Sequence, residues 1–197
     1  MRRIIRFSAL NILFAVLSLS FAPTLQAGDD IWNSLKEGGK VVLMRHAQVS
    51  RGKGLLRDPS CRKEQMLRKK GKEDAKKVGE EFRRHNIQIA AVYHSPYCRT
   101  TDTAHIAFGG GQPADYLYVL NALSDEEANK RTALMNEIIG SFTGPGNLVL
   151  ITHNPNIQAV SFEELKQGEF VVLQPKGGGE FDELGAYHLE SNATTRN

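Results

Sequence analysis

Cysteine is scarce in this 197-residue chain, with only Cys61 and Cys98 present. The two do not form a Cys-x-x-Cys pair, which excludes the usual signature of a zinc ribbon or finger. No two of the six histidines lie four residues apart, which excludes the helical His pair of a zinc peptidase. No apolar run reaches the about 20 residues of a spanning helix. Repeats, low-complexity tracts and Pro/Gly-rich linkers are also missing, so the length reads as one domain.

Net charge is missing too, once the start of the chain is set aside. Arg2, Arg3 and Arg6 precede a mostly apolar stretch from Phe7 to Ala22, followed by "PTLQAGDD" with the small Ala27. That is the pattern of a secretory signal peptide. The expected division is a leader over 1–27 and one domain over 28–197, exported to the periplasm. Membrane association is expected only through an uncleaved leader. Without the leader's three arginines, 22 basic residues face 22 acidic ones. The pI near 8.9 is therefore largely the leader's, and it gives no reason to expect nucleic-acid binding. The charge is unevenly spread: Arg51 to Arg84 holds 13 Lys or Arg against 6 Asp or Glu. Such a segment reads as a solvated helix face and polar loop, which is compatible with a positive rim for a small anionic substrate. Oligomeric state is not readable.

Apolar strands alternate with amphipathic helices in what remains. "KVVLMRH", "IAAVYHSP", "NLVLITH", "EFVVLQP" and "GAYHLE" read as strands. Lys70 to Asn86 carries Ala75, Val78, Gly79 and Phe82 at helical spacing. "YCRTTDTAHIAFGGG" reads as a helix closing on glycines. Ser124 to Phe142 opens with a capping-box pattern of Ser124 and Glu127. "NPNIQAV" opens another helix, with Pro155 suited to its first turn. The expected fold is α/β: a single domain with a mostly parallel central sheet and helices on both faces.

In such a sheet, ligands bind beyond the carboxyl ends of the strands. Arg45 and His46 end one strand, His153 ends another, and Arg99 follows a third within a few residues. Two guanidiniums can hold phosphate oxygens in paired hydrogen bonds. A neutral imidazole among them is a nucleophile for phosphorus, and a second imidazole, if protonated, is a further donor. Of the other histidines, His85 is expected to face solvent, His188 to belong to the sheet, and His94 and His105 to support the site from behind.

At these residues the chain resembles the histidine phosphatase superfamily, the clan of phosphoglycerate mutases and acid phosphatases. Its Arg-His-Gly block is matched by "RHA", with Ala47 in place of glycine. Its Ser-Pro…Arg…Thr-Ala block is matched by "SPYCRTTDTA", and its strand ending in Thr-His by "LITHNPNI". The segments around both cysteines are similar to small periplasmic members of the lipopolysaccharide core heptose phosphatase type. The resemblance implies a phosphoglycerate mutase-like fold and hydrolysis of a phosphomonoester through a phosphohistidine on His46. Arg45, Arg99 and His153 would then form the phosphate pocket, and neither metal nor organic cofactor is implied. It leaves two questions. Ala47 fits only if its φ is negative. The general acid that many relatives place past the second block falls near Ala122, so Glu126, then Asp125, are the candidates, although both also read as ordinary first-turn acids of a helix. Arg51 is a candidate rim residue and Gln48 a candidate cover for the phosphate. Thr152 is expected to orient His153, and Asn154 to cap a helix. A Cys61–Cys98 disulfide would tie the long basic loop to the Arg99 block. A phosphate-binding protein that keeps the pocket but turns over little or not at all is the alternative.

Overall fold

The computed structural model describes residues 27–51 and 57–189. The expected leader therefore lies outside the described residues, apart from Ala27, which opens α1 (Ala27–Glu37). Five further strands and four helices follow β1 (Val41–Arg45): α2 (Lys69–Arg84), β2 (Ile89–His94), α3 (Cys98–Phe108), β3 (Gln112–Pro113), α4 (Asp125–Gly140), β4 (Asn147–Thr152), α5 (Asn154–Gln158), β5 (Phe170–Gly177) and β6 (Glu180–Tyr187). Two 3₁₀ turns, Asp115–Leu117 and Leu120–Ala122, connect β3 to α4. No helix among the described residues is long and apolar enough to cross a membrane.

The six strands form one sheet in the order β3-β2-β4-β1-β5-β6. The first four run parallel, while β5 and β6 pair antiparallel with their neighbours. Alternation along the strands sorts the core into two layers. Val42, Met44, Val149, Ile151, Phe170 and Val172 pack with Trp32 and Leu35 of α1 and Val78 and Phe82 of α2. Val41, Leu43, Leu148, Leu150, Val171 and Leu173 pack on the other side, with Met135 and Ile139 of α4 and Ile157 of α5. Covered on both faces, β4 is buried along its whole length, which is why it reads as an unbroken apolar run.

Three local readings are corrected. The last strand starts at Glu180, five residues earlier than the apolar signal, because the glycines at 177–179 form a tight hairpin turn. The helix after β4 ends at Gln158. His85 does not face solvent; its ring stacks on Trp32 at 4.4 Å.

Candidate active site

Sheet register assembles the site. Arg45 at the end of β1 lies opposite Thr152 at the end of β4, and the His46 N–H donates to the Thr152 carbonyl at 3.0 Å. On the other side of β4, the Ser95 N–H donates to the Ile151 carbonyl at 2.9 Å. The three central strands thus deliver His46, His153 and Ser95 side by side at the carboxyl edge. The two imidazoles lie 5.4 Å apart, centroid to centroid. Arg99 comes from the first turn of α3, where its Nη2 donates to His153 Nδ1 at 3.1 Å and its Cζ sits 4.3 Å from the Tyr97 ring centre.

Hydrogen bonds assign the tautomers. His46 Nδ1 is 2.9 Å from the Ala47 carbonyl. A carbonyl only accepts, so Nδ1 carries the proton and Nε2 keeps its lone pair. Burial, reinforced by the charges of Arg99 and Arg45 and opposed by the Ala47 hydrogen bond, lowers His46 to about 3. It is therefore neutral at physiological pH. His153 is held in the opposite sense. Arg99 can only donate, so Nδ1 accepts and Nε2–H donates to Ser95 Oγ at 2.8 Å. Burial, with the nearby Arg99, His46 and Arg45, holds it well below the usual histidine range. His153 is thus a neutral ring with both nitrogens engaged rather than a protonated donor.

Arg45 is fixed from the other side. Its Nη1 donates to Asn154 Oδ1 at 3.1 Å and to the Leu165 carbonyl at 2.7 Å, whereas its buried Nε has no hydrogen-bond partner among the described residues. Asn154 thus orients a guanidinium and is not the helix cap; His153 occupies that position. Thr152 likewise does not orient its neighbour, because its hydroxyl donates to the Leu117 carbonyl at 3.0 Å. Ala47 is fully buried among Val49, Leu67 and Ala75. It is not among the non-glycine residues of positive φ, so its methyl is accommodated.

No described side-chain contact joins the remaining candidates to Arg45, His46, Arg99 or His153. Asp125 and Glu126 are exposed on the first turn of α4, with Glu126 paired to Lys130 at 2.7 Å; no described contact joins either to the four residues. Gln48 is half-buried beside Ala47, its carbonyl accepting from Arg68 N at 2.9 Å. Arg51 is exposed. Cys61 and Cys98 are joined in a disulfide. His94 is buried, with Nδ1 2.7 Å from the Ser95 carbonyl, whereas His188 lies just past β6 and pairs with Glu169 at 3.0 Å. Sequence reasoning missed Ser95 as the partner of His153 and two buried carboxylates, Glu64 and Glu169. A buried acid surrounded by basic residues has no periodic signal; only the loop's closure reveals it. Among the described residues no cluster of three or more His, Cys, Asp or Glu could hold a metal ion.

A family model described as histidine phosphatase superfamily (branch 1) matches residues 41–121. No curated protein sequence matches the chain. Solved structures share its fold at low identity. The protein histidine phosphatase SixA complexed with tungstate has a TM-score of 0.55 at 14% identity, over 76% of this chain and 96% of that one. The product of Rv3214 from Mycobacterium tuberculosis scores 0.56 at 15% identity, over 73% and 94%. TTHB049 from Thermus thermophilus scores 0.54 at 14% identity, over 76% and 99%. The matched family segment carries Arg45, His46 and Arg99, β4 adds His153 in register, and over that segment the chain is similar to the histidine phosphatase superfamily.

Proposed function

We propose that the protein is a phosphatase that works through a phosphohistidine on His46. The observation that carries this reading is the His46 tautomer: Nδ1–H is tied to the Ala47 carbonyl, leaving the Nε2 lone pair free beside Arg45, Arg99 and His153. In the first step Nε2 bonds to phosphorus as the bond to the leaving group breaks. In the second, water bonds to phosphorus, the P–N bond breaks, and phosphate leaves. Phosphoryl transfer needs mainly in-line positioning and charge stabilisation, which guanidiniums fixed before the reaction supply.

The finer reading is an exported enzyme acting on a phosphomonoester such as an envelope sugar phosphate. The leader-like start and a disulfide suited to an oxidising compartment support it. One observation favours a second substrate class. Asp125 and Glu126 are exposed, the buried carboxylates Glu64 and Glu169 are engaged by backbone N–H groups, and the buried Asp74 is paired with Lys70. A leaving alkoxide would lack an evident proton donor, whereas the good leaving groups of a phosphohistidine or an acyl phosphate depend on one far less.

Turnover of aryl phosphate, whose leaving group hardly needs an acid, tests the core of the proposal. Activity lost in His46→Ala, with labelled phosphohistidine trapped on acid-free quenching, supports it. Phosphate binding without turnover at any pH would instead favour the binding-protein alternative. Among true substrates, alkyl phosphates cleaved as fast as phosphohistidine would remove the second reading.

A further inference from the structure

Glu64 is a buried carboxylate in the most basic part of the chain. Its Oε2 accepts from Cys98 N, the first residue of α3, at 2.7 Å, and its Oε1 accepts from Asp58 N at 2.9 Å. Three residues before it, Cys61 is bonded to the same Cys98, and Arg57 Nε donates to the Pro96 carbonyl at 3.3 Å. The segment from Arg57 to Glu64 is thus fastened at several points to the turn that leads into α3. The next residue along that turn is Arg99, only 2% exposed. Burying a guanidinium costs free energy unless an opposite charge compensates. Burial lowers the Arg99 pKa from its ordinary value, and the Glu64 charge is the largest influence opposing that fall. Capping the helix alone would not require a charge here, since a neutral Asn or Ser side chain does it.

We propose that Glu64 is a positioning residue for phosphoryl transfer: by gripping the first turn of α3 it fixes the fork of Arg99 against His153, and its loss loosens the hold on the transferring phosphoryl group. The proposal rests on the phosphatase reading above. A positioning residue acts through its partner, so its effect should vanish once the partner is changed.

The test is a double-mutant cycle of Glu64→Gln and Arg99→Lys on aryl phosphate, with kcat expressed per site titrated by the phenolate burst so that unfolded protein does not count. Expected is a fall in kcat of about 10- to 100-fold for Glu64→Gln, the scale of a small misplacement of a catalytic group, with KM changed much less. The double variant should be no slower than Arg99→Lys alone. If Glu64→Gln does not fold, Glu64→Asp, which keeps the charge but shortens the reach, completes the same cycle. A kcat per site unchanged by the Glu64 substitution, or effects that multiply in the double variant, would overturn the proposal while leaving the phosphatase reading intact. A wild-type protein with neither burst nor labelled His46 would overturn that reading, and the proposal would fall with it.

Discussion

A side chain's role here is set by which of its atoms are already committed. His46 and His153 have the same chemistry and equivalent places in the sheet, yet their hydrogen bonds give them opposite tautomers. His46 Nδ1 is spent on a carbonyl and Nε2 is free; His153 has Nδ1 spent on Arg99 and Nε2 on Ser95. With His46 lowered to about 3 by burial and its cationic neighbours, ¹⁵N NMR of the free protein should show a neutral, Nδ1-protonated ring from pH 7.5 down to pH 5. A titration centred near the ordinary histidine value would contradict the assignment. Ser95→Ala removes one partner of a buried hydrogen bond, worth about 1–3 kcal/mol. Aryl phosphatase activity should fall roughly tenfold or more as His153 loses its anchor, and unchanged kcat and KM would show that Arg99 alone holds the ring. Arg45 and His46 were legible because a polar pair ending an apolar strand is a strong local contrast, and His153 and Arg99 because each follows the end of another apolar strand. Glu126 and Asp125 drew attention because acids near the end of a motif resemble a proton donor, but the helix they begin accounts for them. Ser95 and Glu64 matter through partners 58 and 34 residues away, and that information is not local.

Whole elements constrain the site through close backbone approaches. Gly71, in the first turn of α2, lies directly on the segment that follows His46. A Cβ there would sit 2.1 Å from the Gln48 carbonyl oxygen and 2.8 Å from its carbon and nitrogen. Gly79 on the same helix stands in the same relation to Ala107 of α3, with a Cβ 2.1 Å from its carbonyl oxygen. Either Gly→Ala change gains helix propensity of up to about 1 kcal/mol, but the overlap with backbone should outweigh it, for a net loss of about 1–3 kcal/mol. The two should differ in function. Gly71→Ala pushes on the peptide next to Ala47, so activity of the folded protein should fall with stability; Gly79→Ala parts two helices away from His46 and should lower mainly the denaturation midpoint. Equal kcat losses for equal stability losses would refute the distinction. The helices carrying these glycines were visible from their 3.6-residue period, and Gly79 even counted as part of the apolar stripe. That its smallness serves a helix–helix contact required the fold. The two-residue β3 and the 3₁₀ turns were not visible at all, being too short to carry a period.

At the scale of the molecule, both site histidines are held uncharged at one edge of the sheet, and this ties global stability to pH. In the unfolded chain both histidines titrate near 6.5; in the folded protein His46 does so near 3 and His153 well below its usual value. Below pH 6.5 the unfolded state therefore binds more protons than the native state, and stability must fall with pH. The contribution is fully present above the unfolded value and is lost progressively as pH drops toward the folded one. At pH 5 the loss from His46 alone is roughly 2 kcal/mol, from about 1.4 kcal/mol for each pH unit below 6.5. The disulfide acts independently of pH in this range. Closing a span of 37 residues, it should contribute about 3–4 kcal/mol by restricting the unfolded chain, so reduction should lower the thermal midpoint by a similar amount at pH 7 and pH 5. Thermal unfolding of the wild type should thus shift downward by several degrees between pH 7 and pH 5. In His46→Asn, which removes one of the two buried site histidines, the same pH interval should produce a distinctly smaller shift. An oxyanion bound between Arg45 and Arg99 should reduce the wild-type shift by favouring the native state. If the His46→Asn and wild-type curves fall in parallel, the acid sensitivity comes from other groups, and His46 is not held neutral in the fold.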